Sequence, residues 1–577
     1  MKKVSAFASV PCRVAFATLT RLALLAPVLA PVLVTSAAVV GCADENDPKT
    51  WAKRLDDPAQ RVPAIKRLDS FFTDAMGSAS TPNKRDDEKV KKVLDDAVEP
   101  LTKTYIAGGL DEKTRKDLVK LLGDMGDVRA APAYAKAFKD YEPGKNDEDV
   151  KYAAQGTTAL AKAGPIADQG LVDALWDCFA KFQPSKAKSI NLVKDLQTAV
   201  MVVKSPTYGP KAVEKLAAPV SDPKDPTQGM DQIQFWQLTA ARLIGELKFT
   251  PGVKPLVKVL LTPSKSDLIF PVRLALTRMP KEAEPVLIAA LKGTDPDLAA
   301  LADKYPEKAW VPRIAEPIAY ISRPAGRDAI LEALDKADND QNRTILATEL
   351  THFPSEPKLV KAYVDAYNKV PANAAIPLFN GGNGHAIIAQ SAANFFDTTL
   401  TDWLLKETAA AKGEAADAMP PAALQAAIKL MTTTSSKAVG DAVGKIPGQA
   451  LEKDMYKSAS AVLDKCKQDA ACYVGVLDTA VPSTPPTAKM GHVKAAWMAA
   501  IYGNAQTKND LVGKVDKVKD GSVRLAMVEA IDHLSPQGDA ANADKLEAIV
   551  DSDKKLGVNY ATDEVYKIAL KLRSRVP

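Results

Sequence analysis

Leu118-Val119-Lys120-Leu121-Leu122-Gly123-Asp124-Met125-Gly126-Asp127 decides the fold. Apolar residues at three- and four-residue spacing run into a Gly-Asp turn, and beyond Pro132 a second apolar helix follows, Ala133 to Phe138. The same phrase returns at Ala240–Leu247 leading into Gly252–Leu261. It returns again at Val272–Leu276 leading through Pro280 into Pro285–Leu291, and at Val523–Ile531 leading through Pro536 toward Leu546. Between these phrases the turns fall near Gly126, Gly164, Pro206, Thr250, Pro280, Pro324, Ser355, Asp397, Thr434, Ala470, Asn504 and Gln537. Their spacing is close to the ~40 residues of a two-helix repeat. No convincing period-two run interrupts the pattern. Even Ala199-Val200-Met201-Val202-Val203 continues a helical stripe and stops at Ser205-Pro206.

The expected fold is therefore all-α: about a dozen stacked helix pairs from Trp51 to the C-terminus, with no β-sheet. Leu243-Ile244-Gly245-Glu246-Leu247 and Leu122-Gly123-Asp124-Met125-Gly126-Asp127 resemble HEAT repeats, the armadillo-type α-solenoid pattern, and the resemblance covers residues 51–577 with drift in individual repeats. It implies a curved superhelix in which each unit leans only on its neighbours and the second helix of each pair lines a long concave wall. On that wall Lys254 and Lys258 share one face, and Lys361 and Asp365 repeat the arrangement, which makes the four candidates for contact with a partner. Residues 76–87, 222–229 and 371–384 read as excursions between helices.

The first 42 residues read as an address. Lys2, Lys3, Arg13 and Arg21 precede an apolar run, Leu22 to Val40, that is broken by Pro27 and Pro31 and closes on Val39-Val40-Gly41-Cys42. This junction resembles the lipobox of bacterial lipoproteins. The resemblance implies removal of residues 1–41, lipid on Cys42, and a short tether over 42–50 before the solenoid. Ala43, where an Asp would favour the inner membrane under the family's sorting rule, points to the outer membrane. No later stretch is apolar for long enough to span a bilayer.

The charge balance excludes one large class of function. The chain has 76 Lys+Arg and 71 Asp+Glu, and four of those bases lie in the leader, so the remainder is nearly neutral with both signs interspersed. Nucleic-acid binding needs clustered bases and is not expected. The four His, at 352, 385, 492 and 533, are far apart and read as packing or helix-end residues. Nucleotide, zinc-protease, hydrolase and calcium-loop motifs are absent, and no cofactor or metal is expected. Gly381-Gly382-Asn383-Gly384-His385 precedes a helix read as Ala386–Phe396, but follows no strand, so it reads as a turn and not a phosphate cradle. Cys466 and Cys472 flank a short turn, and an exported chain meets oxidising conditions, so a disulfide is expected there; two thiolates without further ligands do not make a zinc site. Cys178 and the six Trp read as core.

Together these features point to a membrane-anchored envelope scaffold or adaptor that binds other proteins, without enzymatic activity. The alternatives are an enzyme or enzyme subunit of the kind that HEAT-like phycobilin lyases represent, or an architectural spacer.

Overall fold

The computed structural model describes residues 44–576 apart from 189, 412–414 and 446–449, so Cys42 and its leader lie outside the described residues. Helices dominate. The stretch that decides the fold becomes helix Glu112–Met125, started by the Asp111 carboxylate, which accepts from Thr114 N at 3.1 Å. It is stopped by Gly126, whose φ of 56° is the left-handed cap that glycine adopts without strain. Leu118, Val119, Leu122 and Met125 are fully buried, and Tyr134 OH of the second helix, Ala131–Lys139, donates to Leu122 O at 2.6 Å. In the related phrase at 243–247, Gly245 permits close contact between helices: a Cβ there would sit 2.7 Å from Ala275 Cα on the next repeat.

The first helices of successive pairs stack in one continuous layer. Glu112–Met125 packs on Asp147–Ala163, then Ile190–Val203, Leu238–Glu246, Ile269–Thr277, Val311–Ile321, Asp340–Leu350 and Gly384–Ser391. The layer continues through Ala415–Leu430, Ala450–Cys466, Met490–Tyr502 and Gly521–His533 to the terminal helix Thr562–Ser574. All of the expected turns fall between the two helices of a pair. Buried aliphatic residues run through the whole stack as one core, as nearest-neighbour packing of amphipathic helices requires.

Four expectations need correction. Ala375–Ile376 and Gly382–Asn383 form a two-residue antiparallel ladder, because the excursion at 371–384 folds back on itself and pairs its own backbone. The tether is shorter than expected: a helix starts at Pro48, anchored by Trp51 Nε1 donating to Glu45 O at 2.9 Å and by Lys92 Nζ on Asp47 Oδ1 at 2.6 Å. The helix read as 386–396 is α-helical only over Gly384–Ser391 and tightens to a 3₁₀ turn at Ala392–Phe395. The last correction is the largest. Units do not lean only on their neighbours, because the terminal helix Thr562–Ser574 packs against Ile269–Thr277 and Val311–Ile321 in the middle of the chain. The array curls until its end meets its middle, and the helices that meet are all first helices. The first-helix layer is therefore the inner one, and the second helices lie outside.

Candidate functional site

The closure is held by polar contacts spanning the longest sequence separations among the described residues. Arg278 Nε donates to Tyr566 OH at 2.7 Å, and Arg323 Nη1 donates to Ser574 O at 2.8 Å while its Nε meets Glu284 Oε2 at 3.0 Å. Ser574 Oγ donates to Ile321 O. Arg575 is the centre of this network. Its Nη1 lies 2.8 Å from Asp532 Oδ1 and 3.2 Å from Ser535 O, and its Nη2 lies 2.8 Å from Ser322 Oγ and 3.2 Å from His352 O. A guanidinium can satisfy a carboxylate, a hydroxyl and two carbonyls at once because its donors are fixed in a plane. Ser322 holds φ at 56°, and its Oγ donates to His352 O at 2.8 Å, so a strained backbone residue is locked by the same network.

Next to this clamp is a cavity of about 280 Å³. Its walls come from Tyr320, from the turn Thr351–Ser355, from Phe395 and Phe396 at the end of the 3₁₀ turn, and from the inner faces of Gly521–His533 and Thr562–Ser574. Aromatic rings order one side. His533 stacks on Phe396 with ring centres 4.5 Å apart, Phe396 stacks on Trp497 at 4.1 Å, and His352 sits 5.0 Å from Tyr320.

Burial controls the protons of this site. Asp532 would be raised by burial alone, but Arg575 and Lys571, the latter with Nζ 2.6 Å from Oδ2, outweigh it and hold the carboxyl below its ordinary value. His352 is pushed down to about 3 by burial and then by the charge of Lys571, so it is neutral. His533 is lowered by burial as well. Glu349, with Oε2 3.8 Å from His352 Nε2 and no hydrogen-bond partner, is pushed up to about 8 by burial and then by Glu316. Burial thus favours the neutral form of both Glu349 and His352. The cavity combines aromatic walls with charged and polar groups. Among the described residues no group of three or more His, Cys, Asp or Glu is placed to hold a metal ion.

The structure distributes the residues singled out in the sequence as follows. Lys254 and Lys258 lie on the outer layer in Val253–Leu260, not on the inner wall; Lys254 Nζ meets Asp295 Oδ2 at 2.8 Å and Asp297 Oδ2 at 3.1 Å, and Lys258 Nζ meets Asp297 Oδ2 at 3.6 Å. They edge an open groove with Pro255 and Lys304. Lys361 and Asp365, on the outer helix Pro357–Lys369, pair with each other at 2.6 Å. Cys466 and Cys472 are disulfide-bonded with Cα atoms 5.4 Å apart, and Cys178 is buried and free. At 381–385 the Asn383 side chain caps the helix by accepting from Ala386 N at 3.0 Å, and His385 Nε2 lies 2.7 Å from Val370 O, so the turn is occupied by its own side chains.

His352 and His533, separate in sequence, share one cavity, and the residues around them were not expected. A signal existed: Lys567, Lys571 and Arg575 recur every four residues on one helix, and Leu525, Glu529, Asp532 and His533 share a face of another. A charged stripe ordinarily means a solvated face. Nothing in either helix alone shows that the two stripes point inward and toward each other.

In class the chain is an α-solenoid of stacked helix pairs, closed by its own last helix. No protein-family model and no curated protein matches the sequence. Solved structures with similar helix stacking include importin beta, at 9% identity over 92% of this chain and 74% of that one with a TM-score of 0.30. Another is the karyopherin Kap121p bound to the SUMO protease Ulp1p, at 13% identity over 91% and 62% with a TM-score of 0.26. An engineered protein matches at 18% identity over 83% and 98% with a TM-score of 0.22. The architecture rests on the stacking described above.

Proposed function

We propose that this protein is a lipid-anchored scaffold of the cell envelope that binds other proteins through its N-terminal arm, residues 48–245. The observation that carries this reading is the unequal use of the inner layer. Over the second half of the chain the inner helices are turned toward the closure, whereas no hydrogen bond from a distant part of the chain reaches the arm. Among the described residues its farthest side-chain bond, Trp236 Nε1 to Phe179 O, spans 57 positions. A wall of stacked helices left uncovered is the surface on which solenoids bind partners. Lys254 and Lys258, in their groove just beyond the arm, extend that surface on the outer side. Lys361 and Asp365 use their charges on each other and are left out of it.

The anchor is proposed from the sequence around Cys42. The described residues begin at Asp44, two positions after it, and are tied directly to the first helices, which would hold the arm close to the membrane. Absence of catalysis is part of the same proposal, supported by the lack of catalytic motifs. The test is crosslinking and affinity purification from detergent-solubilised membranes, using the full chain and a Lys254→Glu/Lys258→Glu variant. A stoichiometric partner that crosslinks to residues 48–260 and is weakened by the variant supports the reading. Crosslinks confined to the closed half, or no partner at all, would overturn it. Mass spectrometry of the mature N-terminus tests the anchor separately: an unmodified Cys42 thiol removes it.

A further inference from the structure

The closure cavity is lined by three acids, Glu529, Asp532 and Glu564, and three bases, Lys567, Lys571 and Arg575. Asp532 is saturated by Lys571 and Arg575. Lys567 lies over the rings of Tyr320 and Phe270, at 5.3 and 6.0 Å. Glu529 and Glu564 also line the cavity, yet neither makes a hydrogen bond or an ion pair among the described residues. The cations whose charge Glu529 feels most are Lys429 and Lys571, and both are engaged elsewhere: Lys429 over the Trp497 ring at 5.2 Å, Lys571 on Asp532. Burial raises the Glu529 carboxyl, as expected of an acid without a partner.

Glu529 and Glu564 are half-buried, and a carboxylate drawn from water without a counter-ion can be relieved by a ligand that brings the missing charge. The other walls are apolar or aromatic: Phe353, Phe396, Leu525 and Ile568. Ring faces attract cations, and methylene surfaces accept an alkyl stem. An anion would find Lys567 without an ion pair among the described residues but would face both unpaired carboxylates. A cavity of about 280 Å³ equals the volume of roughly nine waters, enough for an alkyl chain of a few carbons with a charged head.

We propose that the closure cavity binds an alkylammonium or alkylguanidinium group, its cation placed between Glu529 and Glu564 and its stem against Phe353, Phe396 and Leu525. The inference goes beyond the scaffold reading and does not depend on it, because the cavity lies in the half of the molecule that the arm does not use. The same chemistry has two sources, a free polyamine or the Lys or Arg side chain of a bound protein.

Calorimetric titration of the full purified protein at pH 7 tests it, with 1,5-diaminopentane, n-butylguanidinium, pentanoate and a peptide carrying one Lys between blocked termini. The two small cations are expected to bind saturably and pentanoate not to bind. Glu529→Gln and Glu564→Gln should each weaken the cations about tenfold or more, the loss of a charge-assisted hydrogen bond. In the unmodified protein, carbodiimide labelling of Glu529 and Glu564, read by peptide mass spectrometry, should be slowed by diamine; this arm stands even if a variant fails to fold. A diamine that binds more tightly than the peptide assigns the cavity to a free polyamine, and the reverse assigns it to a partner's side chain. Equal binding of pentanoate, cation affinity unchanged in both variants, or labelling unaffected by saturating diamine would each overturn the proposal.

Discussion

The arm and the closed half are built from the same helix pairs, yet they are held together on different length scales. In the arm the longest side-chain hydrogen bond among the described residues spans 57 positions, from Trp236 to Phe179. In the closed half Arg278 reaches Tyr566 across 288 positions and Arg575 reaches Ser322 across 253. A linear stack sums the stabilities of its units and interfaces, so it can shorten one unit at a time. A stack whose end is clamped to its middle gains a contact that belongs to no neighbouring pair. Losing that contact affects all the units between. The comparison teaches that cooperativity in a solenoid is set by where its end docks as well as by its repeats.

Deleting the terminal helix is the strongest way to break the contrast. Val565, Leu570 and Leu572 are buried there, and at roughly 1.5–3 kcal/mol each their loss costs on the order of 5 kcal/mol. Removal of residues 562–577 should loosen the closed half from Ile269 onward, seen as lost protection in hydrogen exchange read by mass spectrometry, and leave the arm's protection unchanged. Removing residues 44–107 instead should cost only the missing units. Equal loss of protection in both halves after the C-terminal deletion would show a single cooperative body.

The next largest effect is expected from Arg575→Ala. It leaves Asp532 with Lys571 alone and frees Ser322 and two carbonyls, a loss of about 3 kcal/mol for a buried pair. Arg575→Lys should not restore it, because one ammonium cannot reproduce the planar fork. Chemical denaturation followed by tryptophan fluorescence measures both variants.

A pH series sharpens the comparison, because the displaced Glu349–His352 pair lies in the closed half. Glu349 is raised from about 4.5 to about 8, so its contribution is complete below pH 4.5 and is lost as pH rises through 8. His352 is lowered from 6.5 to about 3, so its contribution is complete above pH 6.5 and is lost as pH falls through 3. The two offset between pH 4.5 and 6.5. From pH 6.5 to 8 only the Glu349 loss remains, and the closed half should weaken by about 2 kcal/mol. Glu349→Gln should flatten that decline in denaturation midpoints, and the arm should show no matching change.

The smallest effect is expected from the disulfide. Cys466 and Cys472 are six positions apart, and a loop this short constrains the unfolded chain by at most about 2 kcal/mol. Reduction, or a Cys466→Ser/Cys472→Ser change, should lower the melting point modestly and leave the protection of residues 562–574 intact. Loss of the closure on reduction would mean that this local bridge supports distant docking.

Much of this molecule was legible in its sequence because repeats are local. The turns at Gly126, Gly164, Pro280 and Gln537 could be placed since helix ends are written in nearby Gly, Pro and Asp residues. The Cys466–Cys472 pairing could be anticipated because both residues flank one turn. The candidate site was hidden for the opposite reason. Glu529, His533, Lys571 and Arg575 look like surface residues on their own helices, but Arg575 meets Ser322 across 253 positions and His533 stacks on Phe396 from a distant repeat.

The sequence by itself determined the helix pairs, the apolar stripe that stacks them and the near-neutral charge, since each follows from residues within a turn or two. Only the tertiary structure decided which layer faces inward, that the last helix closes on the middle, and that Glu349, His352 and Glu529 sit where burial overrides their ordinary titration. Small rotations between successive repeats add up over the whole stack. Where the end arrives is a property of their sum, which no local pattern of residues encodes.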